Sequence, residues 1–145
     1  MTMPSDVRAL AGDLSLAVVR LTRHLRGRRA DSQISLTQLS ALATLAREGA
    51  MTPGALAGKE RVQPPSMTRV IASLSDMRLV DRRPHPTDGR QIIVSLSPAG
   101  RAVIADEAQA REAWMTEQLA GLSAEEIELL TRAVAIMNQL VAGSE

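Results

Sequence analysis

The sequence predicts a mainly α-helical fold with one small β-ribbon. Three observations carry that prediction. Apolar residues recur at steps of three and four along most of the chain, the spacing that lines one face of a helix. Residues 80–96 break that period and read as two strands, the second rich in β-branched residues. Ser-x-x-Gln, Thr-Pro and Ser-x-x-Glu signals precede helical stretches, where the first N–H groups need side-chain acceptors or prolines that lack a donor.

Residues 6–29 read as one long amphipathic helix, with Val7, Leu10, Leu14, Val18, Leu21 and Leu25 on one face. Its end is basic (Arg20, Arg23, Arg26, Arg28, Arg29), which complements the helix dipole; direct contact with nucleic acid is the alternative role. A second helix spans 36–48, with Ser35 as N-cap, Gln38 completing a capping box, and Leu39, Leu42, Ala43, Leu45 and Ala46 as its stripe. Gly49 ends it as a left-handed C-cap. Thr52-Pro53 starts a short third helix over 53–59.

The fourth helix begins at Pro64 or Pro65 and runs to about 77. It buries Met67, Val70, Ile71, Leu74 and Met77 and leaves Ser66, Thr68, Arg69 and Ser73 elsewhere on its surface. A short helix, a tight turn and a second helix opening on small polar residues make a helix-turn-helix over 52–77. Residues 80–83 and 91–96 then read as strands around a loop with two prolines and Asp88-Gly89. A two-stranded ribbon in that place is a wing. Ser97-Pro98 caps a fifth helix over 98–119, and the Ser123–Glu126 box opens a sixth over 124–142. The fold class is a winged helix-turn-helix over residues 35–97, flanked by an N-terminal helix within 6–34 and two helices within 98–145, all in a single domain.

Composition narrows the function. The 145 residues are 45% apolar and 23% charged, a globular balance, and suffice for a core. The absence of cysteine excludes disulfides, zinc–thiolate sites and thiol redox sensing. Two histidines, His24 and His85, give no metal spacing and no Ser-His-Asp logic, and no Gly-rich phosphate loop is present. The expectation is a protein that is not an enzyme and needs no cofactor or metal. No apolar run is long enough for a membrane span, and the first residues lack a signal-peptide pattern, so a cytoplasmic protein with no membrane partner is expected. Trp114 is the sole aromatic among Phe, Trp and Tyr, which disfavours base-stacking on single strands. Sixteen of the 17 cations are Arg; recognition by the Arg fork and GC-biased codon use both account for this.

The charge is segregated. Residues 59–90 carry net +3, whereas residues 102–145 carry net −6. A basic helix-turn-helix and wing opposed by acidic C-terminal helices would orient the protein on double-stranded DNA. Gln63, Ser66, Thr68 and Arg69 stand in the first turns of the fourth helix, where a recognition helix meets base edges. Gln suits adenine, Arg suits guanine, and Pro64 or Pro65 suits a thymine methyl. Ser66 and Thr68 have phosphate as an alternative partner, and Arg69 has Asp76 or Glu60. In the wing, Arg90 is the candidate for a narrow groove, with Asp88 holding it by a charge-assisted bond. Arg83 is the candidate phosphate ligand. Neutral His85 is a poorer one, and packing between Pro84 and Pro86 is its alternative role.

Ser66 to Leu74, Leu79 to Arg83 and Thr87 to Gly100 closely resemble the multiple-antibiotic-resistance regulator (MarR) family, and Leu36 to Leu42 and Thr52 to Ala57 fit as well. Asp88-x-Arg90 followed by Val94-x-Leu96-Ser97 is the most specific part. The resemblance implies a homodimer whose N-terminal and C-terminal helices form the dimer. It also implies recognition helices in successive major grooves and Arg90 in the minor groove. Most such proteins are repressors, and many release DNA when a small phenolic or anionic effector binds. A pocket near Arg20, His24, Leu45 and Trp114 is the candidate effector site, with core or dimer interface as the other role of Trp114. A sequence-tolerant architectural DNA-binding protein is the alternative function. Two departures from the family pattern stand out: Arg78 replaces a common Gly after the recognition helix, and Gln63, a poor cap, opens that helix. The dimer has independent support, because the apolar stripes of the flanking helices exceed what a small winged helix can cover.

Overall fold

The computed structural model describes residues 4–26, 28 and 33–143. The elements in chain order are α1 (Pro4–Arg26), α2 (Leu36–Glu48), α3 (Pro53–Glu60), α4 (Pro64–Asp76), β1 (Val80–Pro84), β2 (Ile92–Leu96), α5 (Pro98–Leu119) and α6 (Ala124–Ala142). The expected elements are all present, with ends shifted by a few residues. α1 stops at Arg26, short of the expected 29; Arg28 follows it with its N–H on the Leu25 carbonyl, and Arg29 lies outside the described residues. The chain forms two compact units, Met1–Arg28 with Arg111–Glu145, and Arg29–Ala110.

The unit of residues 29–110 owns the core. Ile34, Leu42, Leu56, Met67, Leu74 and Val94 are its largest fully buried side chains. They come from α2, α3, α4, the ribbon and the approach to α2, so burial locks the helix-turn-helix against the wing. Each contributes about 1.5–3 kcal/mol through transfer from water. β1 and β2 pair antiparallel, Val80 opposite Leu96 and Pro84 opposite Ile92. The other edge of β2 takes Met51: its N–H donates to Val94 O (3.1 Å), and the Val94 N–H donates back (2.8 Å). The chain entering α3 is thereby tied to the wing.

Polar links fix the helix angles. Ser35 and Gln38 form the capping box of α2, and Gln38 Nε2 also donates to Ser73 Oγ of α4 at 2.8 Å. Ser40 and Thr44 of α2 donate their hydroxyls to the Glu60 carboxylate at the end of α3. Gly49 ends α2 with φ 88°, as a positive-φ cap, but its ψ of −174° is not left-handed helical. That extended positive-φ region is open essentially to glycine alone, and it sends the chain straight out toward Met51.

The end of α4 is closed most tightly. Leu79 N donates to Leu74 O and Arg78 N to Ser75 O, the paired bonds of a Schellman turn, with Leu74 and Leu79 both buried. Ser97 then fastens this turn to α5. Its Oγ donates to Arg78 O at 2.7 Å and accepts from Gly100 N at 3.0 Å, while its N–H donates to Leu79 O. Gly100 lets α5 approach: a Cβ there would collide with the Leu79 carbonyl oxygen and lie 2.8 Å from Leu96 Cδ1.

The other unit is built differently. No described residue of α1, α6 or the α5 segment from Arg111 on is fully buried. Among the described residues, thirteen of the fifteen exposed large apolar side chains lie on α1 and α6, from Val7 and Leu10 to Leu140 and Val141. Among the described residues no helix is long and apolar enough to cross a membrane.

Gly100→Ala is expected to destabilise the protein by about 1–3 kcal/mol, because backbone and not a flexible side chain meets the added methyl. Urea unfolding at fixed protomer concentration checks this; an unchanged midpoint would contradict the close approach.

Candidate nucleic-acid interface

α4 has two different faces. Met67, Ile71 and Leu74 are buried, with Val70 half-buried. Pro65, Thr68, Arg69, Ala72 and Asp76 are exposed at helical spacing on the opposite side. Pro64 and Pro65 fill the first helical positions, where no intrahelical acceptor would serve an N–H anyway. Gln63 occupies the N-cap position but makes no side-chain capping bond, so its exposed amide is available. Thr68 Oγ1 donates to Pro64 O at 3.0 Å, which leaves its lone pairs outward as acceptors. Ser66 is half-buried, a shallower position than the outward face.

Arg69 has two candidate ion-pair partners within the protein. Glu60 is engaged by Ser40 and Thr44 instead, and none of the ion pairs found among the described residues joins Arg69 to Asp76. The exposed Arg69 guanidinium is therefore not neutralised by either.

The wing is ordered by its own side chains. The His85 N–H donates to Gln91 O (3.1 Å) and Gln91 N–H to Asp88 O (3.1 Å). His85 Nδ1 accepts from the main-chain N–H groups of Thr87 (3.2 Å) and Asp88 (3.0 Å). Asp88 Oδ1 accepts from Arg90 N at 3.1 Å and Oδ2 from Gln91 Nε2 at 3.3 Å. The side-chain ion pair between Asp88 and Arg90 is loose, 3.9 Å, with the Arg90 side chain 97% exposed. Asp88 thus holds the Arg90 main chain more firmly than its guanidinium. A surface pair of this kind is worth at most about 1 kcal/mol, so Arg90 is free to exchange it for a stronger anion. Arg83 is exposed on β1 opposite Ile93. Arg90, Gln91 and Ile92 face Thr52, Pro53, Gly54 and Ala55 across an open groove of about 530 Å³, which sets the wing arginine beside the uncharged first turn of α3.

Two further arginines carry an unusual backbone. Arg61, in the turn between α3 and α4, has φ 53°, and Arg78, after α4, has φ 60°. Arg78 is thus left-handed and closes the Schellman turn at the end of α4. Arg61 repeats it: Val62 N donates to Ala57 O and Arg61 N to Gly58 O, a second Schellman turn. Arg61 is not among the sequence candidates. Its signal is the same as at Arg78, a polar residue closing a helix directly before an apolar one. Ala72, exposed on the same face of α4 as Thr68 and Arg69, carries no chemistry in the sequence to flag it.

The proposed effector residues are distributed over both units. His24 and Trp114 stack with ring centroids 6.2 Å apart and planes 4° from parallel, and the Arg28 guanidinium lies 5.7 Å from the indole centroid. Arg20 is exposed one turn before His24 on α1. Leu45 belongs to the core of the other unit, 3% exposed. Among the described residues no group of three or more His, Asp or Glu is placed to hold a metal ion.

The MarR family profile matches residues 34–92, the segment that holds the helix-turn-helix and most of the wing. An HTH-type transcriptional regulator of Mycobacterium tuberculosis (strain CDC 1551 / Oshkosh) is 58% identical over 139 residues, covering 96% of each chain. Among solved structures, a transcriptional regulator of Thermotoga maritima superposes with a TM-score of 0.82 at 19% identity, over 94% of this chain and 96% of that one. A mutant of MepR from S. aureus, bound to an oligodeoxyribonucleotide, superposes with a TM-score of 0.70 at 15% identity, over 90% and 96% of the two chains. At these identities the two structures speak to the fold.

Arg61→Gly and Arg78→Gly are each expected to raise stability by about 1 kcal/mol, since glycine removes the left-handed penalty of an L-residue. Urea midpoints at fixed protomer concentration read this directly. A loss of stability would mean the arginine side chain contributes more than its backbone costs.

Proposed function

From the premise that this chain belongs to the MarR family and is a DNA-binding transcriptional regulator, we propose that it is a ligand-responsive repressor acting in the cytoplasm. It binds a near-palindromic operator as a homodimer. The observation that carries this reading is the division of α4, whose inner face is locked in the core while Gln63, Pro65, Thr68 and Arg69 stand exposed on its opening turns. These residues read base edges in the major groove, with Ser66 on phosphate. Arg90 enters the neighbouring minor groove, and Arg83 meets the backbone.

The homodimer rests on α1 and α6. Thirteen exposed large apolar residues on two helices are far more than a lone soluble chain carries without a partner surface. Pairing of two copies is the commonest solution, and it sets two recognition helices about one helical turn of DNA apart. The stacked His24–Trp114 pair, with Arg20 on α1 and Arg28 just beyond it, offers aromatic and cationic surface. Such a surface suits a small phenolic or anionic effector.

Selection of bound fragments from sheared genomic DNA, at about 150 mM salt, tests the operator. Enrichment of a few sites with paired half-sites one helical turn apart is expected. Uniform recovery would replace a specific repressor by a sequence-tolerant architectural protein. Phenols and aromatic carboxylates titrated onto the recovered complex then test effector release.

Two substitutions test the contacts. Arg90→Ala is expected to weaken operator binding while sedimentation still shows a dimer; wild-type affinity in this variant would remove the wing from the interface. Arg69→Ala is expected to cost about 1–3 kcal/mol of binding and relax preference at one base position. A loss equal for all sequences would reassign Arg69 to phosphate.

A further inference from the structure

We propose that His85 is the positioning residue of the wing. As an uncharged ring it caps the hairpin turn, sets Asp88 and through it Arg90, and its protonation weakens DNA binding. The inference rests on the DNA-binding reading above and adds to it a residue role and a pH response.

The geometry determines which form of the ring can do this. Two main-chain N–H groups, of Thr87 and Asp88, converge on His85 Nδ1 at 3.2 and 3.0 Å. A main-chain nitrogen can only donate, so Nδ1 must present its lone pair and the ring proton must sit on Nε2. The arrangement copies an Asx turn, in which a side-chain acceptor serves N–H groups two and three residues ahead, with imidazole in place of a carboxamide. The Thr87 hydroxyl lies 3.4 Å from the same nitrogen.

The link to Arg90 runs through Asp88. The residue whose N–H is held by His85 accepts Arg90 N on Oδ1, Gln91 Nε2 on Oδ2 and Gln91 N on its carbonyl. The Arg90 side chain is 97% exposed and approaches Asp88 no closer than 3.9 Å, so its aim depends on the main chain beneath it. His85 sets that main chain two hydrogen bonds away.

Protonation at Nδ1 removes the acceptor and points an N–H at two other N–H groups, and the turn must open or the ring must leave it. The charged residues of the wing on either side of His85 are Asp81, Arg82 and Arg83 of β1 and Asp88 and Arg90 of the loop. Both oxygens of Asp88 are already engaged. Across the groove, α3 and its cap offer Thr52 to Ala55, none of them charged. A direct phosphate contact by His85 would respond with the opposite sign, because an imidazolium binds phosphate better than a neutral ring does.

The full-length protein decides between the two. The probe is a duplex recovered by this protein from random-sequence DNA, and affinity is measured at about pH 8 and about pH 5.5, a range over which histidine is the side chain that changes charge. Wild-type affinity is expected to fall about five- to tenfold on acidification, the worth of one or two net hydrogen bonds. His85→Asn keeps an uncharged Asx acceptor and is expected to bind like wild type at pH 8 with little further loss at pH 5.5. His85→Ala is expected to bind weakly at both. Identical pH profiles for wild type and His85→Asn, or tighter wild-type binding in acid, would overturn the proposal. Nitrogen-15 NMR of the free protein supplies a readout independent of DNA: the ring is expected as the Nε2–H tautomer, with the Thr87, Asp88 and Arg90 amides titrating alongside it. Amides that stay still would overturn the turn cap whatever the DNA result. If no duplex is recovered, specific DNA recognition fails as a reading, and the amides alone judge His85.

Discussion

The closing of α4 at its C-terminal end is the constraint on which the rest depends. A recognition helix is useful only if its outward face is held at a fixed angle to the wing. Here one buried serine does much of that holding. The Ser97 hydroxyl bonds the left-handed Arg78 carbonyl and the first turn of α5 together, and its N–H takes the Leu79 carbonyl. Gly100 permits the contact by having no side chain. The exit of the recognition helix, the end of β2 and the start of α5 therefore meet at one point. The polar links from α2, Gln38 to Ser73 and Ser40 and Thr44 to Glu60, hold the helix-turn-helix from the other side.

The two units solve the burial problem in different ways. Residues 29–110 close a core around Leu42, Leu56, Met67 and Leu74 without help from another chain. The remainder is amphipathic on almost every turn and buries no described residue completely. This difference matches the charge segregation, net +3 over residues 59–90 and net −6 over residues 102–145. The cationic segment, residues 59–90, lies within the unit that has its own core.

Much of this is legible in the sequence, because the strongest local signals agree with the tertiary structure. Ser35–Gln38 and Ser123–Glu126 are capping boxes in fact, and Thr52-Pro53 opens α3 as its chemistry predicts. Arg78, at a position where glycine is common in the family, is left-handed. What is not legible depends on side chains meeting across the chain or across a turn. Nothing in Pro84-His85-Pro86 announces that the ring turns back onto the N–H groups of Thr87 and Asp88 instead of packing between the prolines. Charge alone makes Asp88 a partner for the Arg90 guanidinium, whereas its shorter bond goes to the Arg90 main chain. Gly49 reads as a left-handed cap, but the chain there continues extended to reach Met51 and its pairing with Val94.

The outward face of α4 also bears on how such a protein changes over evolutionary time. Gln63 caps nothing, and Pro65, Thr68, Arg69 and Ala72 lie outside the core. Exposed substitutions of this kind usually shift stability by no more than about 0.5 kcal/mol. On the proposed reading, the residues that choose a base sequence are thus nearly uncoupled from those that keep the fold. Duplicated copies of such a gene can drift to new target sites one side chain at a time, without passing through an unfolded ancestor. The same separation makes the scaffold a candidate for deliberate retargeting, with Met67, Ile71 and Leu74 left untouched beneath the changing surface.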